Sequence, residues 1–225
     1  MSTWRPDMGT PNTVAQEEVI VEKKLILTAG VVAFDFTFAE NAPTDEIKVL
    51  FVKNKKSHDK PGGRGLPKGQ VDQKEDIQHA AGRETRDESG YPVIRYIGKL
   101  TVIPKPWIPN EIHLFLVEPS DVCLGTREKD EIDYSVDPWL SLREIFTMPL
   151  AQARDGSDKN PNGIYFSDRK RLFDVIYRML FRSDLLVDGD KISRWLTPVN
   201  RRLLGKAMET LEKEGLLSEF HDDDE

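Results

Sequence analysis

One stretch, Leu66 to Tyr91, constrains the fold of this 225-residue chain most, because helix signals and regularly spaced polar residues coincide in it. It reads LPKGQVDQKEDIQHAAGRETRDESGY. The pattern predicts a helix from about residue 77 to 89, followed by Gly90 in the left-handed conformation that ends many helices. Asp76 is a candidate N-cap. The alternative is a start one turn earlier, with Asp72 and the glutamate three residues later as a capping box.

Three carboxylates lie on one face of the predicted helix. Glu84, Asp87 and Glu88 are spaced i, i+3 and i+4, so they occupy adjacent turns. Like charges at this spacing repel one another, and a cation between them would relieve the repulsion. A donor set made only of hard carboxylate oxygens suits Mg²⁺ or Mn²⁺ better than zinc. The face therefore predicts a divalent-cation site, and an ordinary solvated helix face is the alternative.

The polar residues around this face have a spacing that extends over the whole stretch. Gly69 is followed after five residues by Glu75, and after seven more by Arg83-Glu84, Asp87-Glu88 and Gly90. This arrangement resembles the Nudix box, G-x5-E-x7-R-E-U-x-E-E-x-G-U, in which U is a bulky apolar residue. The chain departs from the box where Asp87 replaces a glutamate and where Thr85 and Tyr91 occupy apolar positions. The resemblance covers roughly residues 24 to 182.

The resemblance implies a fold class and an activity. The expected architecture is an α/β/α sandwich, in which a mixed β-sheet lies between helices, with an additional C-terminal helix. The expected activity is Mg²⁺- or Mn²⁺-dependent hydrolysis of a pyrophosphate linkage. Its substrate would be a nucleoside diphosphate derivative, a dinucleoside polyphosphate or a diphosphoinositol polyphosphate. A catalytically silent module with this fold, binding a nucleotide or a protein, is the competing class.

The resemblance also implies roles for the box residues. Three of them are the expected metal ligands, namely Glu84, Asp87 and Glu88. Arg83 is expected to orient the acidic cluster through a charge-assisted contact, and Glu75 to be a further ligand or a support for one. The box glycine, Gly69, is included in the expected metal site. Arg83, Glu84 and Glu88 are also candidate catalytic residues.

An acidic loop, GTREKDEIDYSVD from Gly125 to Asp137, offers a further carboxylate. Some Nudix enzymes resemble this chain in having a loop carboxylate that activates water or joins the metals. Glu128, Asp130 and Glu131 are the candidates, and the sequence alone does not rank them. We select Glu131 as the candidate catalytic residue, and an acidic loop without a catalytic role is the alternative.

Basic residues precede the box in the glycine- and proline-rich segment KNKKSHDKPGGRGLPKG. Arg64 and Lys68 are the candidates nearest the box for binding substrate phosphates, and a solvated loop is the alternative. Trp107, at the tip of the proline-rich turn PKPWIPN, is the candidate for stacking on a nucleobase or ribose. Local packing of the Trp107 indole is the alternative to that role.

Composition and charge restrict the remaining function classes. The net charge of −7 argues against a broad electrostatic surface for nucleic acid. A small phosphorylated substrate is compatible with this charge, because a metal and local basic residues can attract it. The sequence contains no apolar run of 18 residues and no secretory signal pattern. We therefore expect no membrane partner and a cytoplasmic or nuclear location.

The chain divides into three expected regions. Residues 1–23 are expected to be a flexible N-terminal segment, residues 24–182 the Nudix domain, and residues 183–225 a helical extension with an acidic tail. A helix of the extension is expected to begin at Thr197-Pro198, because proline is tolerated at the first helical position. Packing on the domain, a homodimer interface and binding of another partner all remain open as roles for this extension.

Apolar and alternating patterns predict the remaining elements of the domain. Strands are expected at residues 24–38, 47–52, 94–103 and 111–117. A closing helix with an apolar stripe is expected from Ser167, as its N-cap, to Phe181.

Overall fold

A four-stranded sheet is the central layer of the computed structural model. Its strands are β1 Ile26–Val32, β6 Lys68–Gln70, β7 Val93–Lys105 and β8 Asn110–Pro119. They lie in the order β6, β1, β8, β7. The β1/β8 pair is parallel and the other two pairs are antiparallel, so the prediction of a mixed sheet is confirmed.

The structure describes residues 25–37, 46–56, 62–105, 110–124, 129–152 and 160–220. The expectations for the N-terminal segment 1–23 and for the acidic tail at 221–225 lie outside these residues. Within the described part of the chain, no helix is both long enough and apolar enough to cross a membrane.

Two smaller, separate sheets accompany the central one. One contains β2 Phe34–Asp35, β3 Lys48–Leu50 and β9 Trp139–Ser141, and the other pairs β4 Val52–Asn54 with β5 Gly63–Gly65. The predictions of single strands at 24–38 and 47–52 are therefore wrong, because the chain changes sheets at Ala33 and at Phe51. Both residues are fully buried, so the apolar pattern runs through each junction without a sign of the change.

Helices cover both faces of the central sheet. They are α1 Ile77–Ser89, α2 Leu142–Thr147, α3 Phe166–Phe181, α4 Gly189–Trp195 and α5 Pro198–Lys213. Successive residues of β1 point to opposite faces. Val31 accordingly packs in one cluster with Ala80 and Ala81 of α1, and Val32 packs in another with Leu172 of α3. The predicted α/β/α arrangement is confirmed.

The start of α3 differs from the prediction. Tyr165 occupies the N-cap and its side chain makes no capping hydrogen bond, while Ser167 lies inside the first turn. The predicted capping role of Ser167 is therefore wrong. Capping rules rest on residue type, and tyrosine is not among the residues that favour this position.

The C-terminal extension packs on the domain, which is one of the roles that the sequence left open. Leu204 and Leu211 of α5 are fully buried in the same apolar cluster as α3. Phe220 stacks on Phe173 of α3, with ring centroids 5.0 Å apart. Thr197 caps α5 and proline follows it in the first turn, so the predicted start of this helix is confirmed.

Substitutions at two neighbouring positions of α5 test this packing, because they are expected to change the free energy of unfolding in opposite directions. Leu204→Ala removes a fully buried side chain, and we expect it to lower the free energy of unfolding by about 2–5 kcal/mol. Gly205→Ala should raise it by about 0.5–1 kcal/mol, because a helix interior favours alanine over glycine. The space around Gly205 is open within 4 Å. Urea denaturation of the full chain measures both changes, and a loss of stability in both variants would contradict this account.

Candidate active site

Local signals in the sequence define both ends of α1. The side chain of Asp76 accepts hydrogen bonds of 2.9 and 3.1 Å from amides of the first turn. Gly90 follows the last turn with φ of 80°, a conformation that glycine adopts without steric cost. The helix begins directly after Asp76, so the alternative start at Asp72 is wrong.

The acidic face of α1 is buried. Glu84, Asp87 and Glu88 are only 3%, 7% and 7% exposed. An ionised carboxylate in such surroundings is costly unless it is paired and hydrogen-bonded. The partners of these three side chains therefore decide what the face can bind.

Two of the three carboxylates converge on one positive group, the ammonium of Lys129. Lys129 Nζ contacts Glu84 Oε2 directly and lies 3.3 Å from Glu88 Oε1. The second oxygen of each carboxylate has a different partner. Glu84 Oε1 accepts a 2.8 Å hydrogen bond from Arg83, and Glu88 Oε2 accepts one of 3.0 Å from the backbone amide of Lys68. Glu84 and Glu88 thus present one oxygen each to a shared cationic position.

Asp87 has a different partner, although it shares the helix face. Its Oδ1 accepts a 2.9 Å hydrogen bond from Nε of Arg86, the preceding residue. Within the described part of the chain, no three His, Cys, Asp or Glu side chains form a group that could hold a metal ion. The expected third ligand, Asp87, therefore does not join Glu84 and Glu88 in this structure.

Glu75 supports the site through Arg83. The Arg83 guanidinium donates to both Glu75 oxygens, at 2.9 and 2.8 Å, and to Glu84 at 2.8 Å. This arrangement places Glu75 next to the arginine that orients Glu84, as a support of the kind the sequence allowed. The Arg83 hydrogen bonds lower the pKa of Glu75 to about 2.

Gly69 lies on β6 directly against the Glu84 carboxylate. A Cβ atom at this position would overlap the carbon and both oxygens of that group. The site therefore needs glycine here because a side chain would take the space of the Glu84 carboxylate. Gly69 contributes room for a carboxylate rather than a metal-binding side chain.

The two basic candidates ahead of the box are bound to the protein itself. Lys68 Nζ forms a 2.5 Å ion pair with Asp168 of α3, a residue that is 1% exposed. Arg171 also pairs with Asp168. Arg64 donates a 2.9 Å hydrogen bond to the backbone oxygen of Asp137. A role of Arg64 or Lys68 in binding phosphates stays a prediction.

Within the described part of the acidic loop, the side chain that reaches the box is a lysine rather than an acid. The loop candidates Asp130 and Glu131 are exposed, whereas the residue before them, Lys129, reaches Glu84 and Glu88. Glu128 and Trp107 lie outside the described residues. Sequence reasoning missed Lys129 because it looked for ligands in this loop. The repulsion among the helix carboxylates requires a positive partner, and a lysine can take that role as well as a metal ion. This requirement was the signal in the sequence that could have indicated a residue such as Lys129.

Glu88 has electrostatic surroundings that suit proton transfer. Burial raises its pKa to about 7, although Lys129 and the backbone N–H of Lys68 favour the ionised form. A carboxyl group with a pKa in this range can take up or release a proton near neutral pH. Perturbed titration of this kind is common at functional sites.

The Glu75–Arg83 contact predicts a pH-dependent contribution to stability. Because the pKa of Glu75 falls from 4.5 to about 2 on folding, its contribution is fully present above pH 4.5 and is lost as the pH falls to 2. Glu75→Gln should lower the free energy of unfolding at pH 7 by about 1–2 kcal/mol, after allowance for partial exposure. The difference in free energy of unfolding between the wild type and Glu75→Gln should shrink as the pH falls from 4.5 to 3. Denaturant titrations at several pH values measure this difference.

The matched control is Glu209→Gln, which removes an exposed carboxylate from α5. It should leave both the stability and its pH dependence close to those of the wild type. Parallel pH profiles for the wild type and Glu75→Gln would show that Arg83 does not stabilise the ionised form of Glu75.

Comparisons with known proteins identify the family. A model of the NUDIX domain matches residues 27–161, which include the whole box and more than half of the chain. No curated protein matches the chain.

Two solved structures illustrate the similarity. A NUDIX hydrolase from Nitrosomonas europaea matches at 18% identity over 54% of this chain and 76% of that one, with a TM-score of 0.41. A MutT NUDIX hydrolase from Burkholderia pseudomallei matches at 19% identity over 67% and 97%, with a TM-score of 0.40. The family assignment rests on the domain match and on the box residues within it, and by these the chain belongs to the Nudix hydrolase family.

Proposed function

We propose that this protein hydrolyses a pyrophosphate linkage with the help of Mg²⁺ or Mn²⁺. The substrate classes are nucleoside diphosphate derivatives, dinucleoside polyphosphates and diphosphoinositol polyphosphates. The observation that carries the proposal is the convergence of Glu84 and Glu88 on one cationic position within the box. Family membership supports hydrolysis of an acid anhydride in general, and this pair of carboxylates supplies the local chemistry.

The residues present fit a divalent cation. Glu84 Oε2 and Glu88 Oε1 are buried carboxylate oxygens that already face a single positive charge. Mg²⁺ is commonly held by one or two carboxylates together with waters and substrate phosphates. Such an ion, when bound, neutralises charge on the phosphates and lowers the pKa of water. Two converging carboxylates therefore suffice for the site, without Asp87.

The remaining roles belong to the residues of this chain. Arg83, held by both oxygens of Glu75, keeps Glu84 directed into the site. Glu88 is the better placed proton acceptor, because it lies within the box at the shared cationic position, whereas Glu131 is exposed. Water then attacks phosphorus, its proton passes to Glu88, and the bond from phosphorus to the bridging oxygen breaks. The exposed Glu131 is the alternative acceptor.

A catalytically silent binding module is the second candidate function. Two observations favour it: the ammonium of Lys129 occupies the position between Glu84 and Glu88, and Asp87 pairs with Arg86. A module of this kind would bind a phosphorylated ligand or a protein without turnover. The two candidates differ in whether the carboxylate pair supports metal-dependent hydrolysis.

Substitution of the carboxylates tests the enzyme. In the presence of saturating Mg²⁺, Glu88→Gln should lower kcat by about 10²–10⁴-fold, because it removes the proton acceptor together with one of the two carboxylates proposed to hold the cation. Turnover is measured by chromatographic separation of the cleavage products of diadenosine polyphosphates, nucleotide sugars, ADP-ribose and diphosphoinositol polyphosphates. Glu209→Gln is the control, and a wild type that binds these compounds without hydrolysing any of them would favour the binding module.

Glu131→Gln separates the two candidate proton acceptors. If Glu88 takes the proton, loss of the exposed Glu131 carboxylate should change kcat by less than about threefold, in contrast to general-base losses of 10²-fold or more. A loss in Glu131→Gln as large as that in Glu88→Gln would assign the acceptor role to the loop.

A further inference from the structure

We propose that Lys129 is an internal counter-cation, which a divalent metal ion must displace from Glu84 and Glu88. The proposal rests on the metal-dependent function proposed above and adds a residue that controls metal affinity. Until the ion binds, the Lys129 ammonium would balance the charge of the two buried carboxylates that it contacts.

The geometry of the carboxylates leads to this inference. Each has one oxygen bound elsewhere in the protein: Glu84 Oε1 by Arg83, and Glu88 Oε2 by the amide of Lys68. The remaining oxygens, Glu84 Oε2 and Glu88 Oε1, both face Lys129 Nζ. The ammonium and a metal ion would therefore use the same two oxygens. Two cations at one position repel each other strongly, so they exclude one another.

The backbone around Lys129 is held in place while its side chain has room to move. The Lys129 amide donates a 3.0 Å hydrogen bond to Tyr134 Oη, which in turn donates a 2.6 Å bond to the carbonyl of Asp87 in α1. The carbonyl of Lys129 accepts a 3.1 Å bond from Ile132, which is 1% exposed. The Lys129 side chain is 21% exposed, and its four-carbon stem has several rotatable bonds. Rotation of the Lys129 side chain alone could therefore vacate the two carboxylate oxygens while the backbone hydrogen bonds of Lys129 remain intact.

Competition of this kind has a measurable size. If the carboxylate pair is free of the ammonium in about 1–10% of molecules, the apparent metal affinity is about 10–100-fold weaker than that of an open site. Removal of the ammonium should recover this factor. Removal of the Lys129 ammonium should also lower the thermal stability of the protein without bound metal, because it leaves two buried carboxylates without their shared counter-charge.

A Mn²⁺ titration of the full chain, followed by electron paramagnetic resonance, tests the proposal. Lys129→Met should lower the Kd for Mn²⁺ by about 10–100-fold. Lys55→Met is the matched control: it removes one positive charge from an exposed side chain near the same loop and should leave the Kd within about twofold, as for a screened surface charge. In chelator, Lys129→Met should melt at a lower temperature than the wild type, and saturating Mn²⁺ should close the gap.

Two further variants make the outcomes distinct. Glu84→Gln should weaken Mn²⁺ binding both in the wild type and in the Lys129→Met variant. This result would locate the ion at the carboxylate pair. Lys129→Gln, which is neutral but keeps a hydrogen-bond donor, takes the place of the methionine variant if that variant does not fold without metal. Equal Kd values for the wild type and a neutral Lys129 variant, with binding still dependent on Glu84, would overturn the counter-cation and leave the hydrolase proposal standing. Absence of Mn²⁺ binding in every variant would overturn both.

Discussion

Burial of three carboxylates on one face of α1 is the constraint on which the site depends. Each buried charge requires a partner, and the loss of one partner from a buried ion pair costs about 3–5 kcal/mol. The partners come from several parts of the chain: Arg83 and Arg86 from α1 itself, the amide of Lys68 from β6, and Lys129 from a later loop. Helix, strand and loop are therefore held in one relative arrangement by the same charges.

The close approach of β6 to α1 explains how the residues of the box are arranged around Glu84 and Glu88. Glycine at position 69 leaves room for the Glu84 carboxylate against the strand, and the next residue back along the strand, Lys68, directs its amide to Glu88. Arg83 then links Glu75, ahead of the helix, to Glu84 within it. These contacts orient side chains before any ligand binds, which is what a metal or phosphate site requires.

The C-terminal extension contributes to the same arrangement from the opposite face of the sheet. Leu204 and Leu211 of α5 share an apolar cluster with α3. Asp168 of α3 pairs with Lys68, the residue whose amide binds Glu88. Helix α3 therefore stands between the extension and the strand that supports the site. The extension and the domain have a common core, although the box lies on the other side of the sheet.

The sequence by itself determined the elements that local chemistry controls. Asp76 and Gly90 mark the ends of α1, the spacing of Glu84 and Glu88 places them on one face, and apolar patterns locate β7 and β8. These features depend on residues within a turn of one another, or on alternation along a single strand. Short-range rules of capping and periodicity are therefore enough to predict them.

Only the tertiary structure decided which groups meet across the fold. Lys129 and Glu84 are 45 residues apart in sequence, and nothing local indicates that a lysine in an acidic loop turns toward the box. The sequence also does not indicate that the chain changes sheets at Ala33 and Phe51, because a buried apolar residue is compatible with either sheet. Asp87 could in principle face its neighbouring acids or Arg86, and in this structure it contacts Arg86. Such contacts depend on where the whole chain places each element, and no local pattern contains that information.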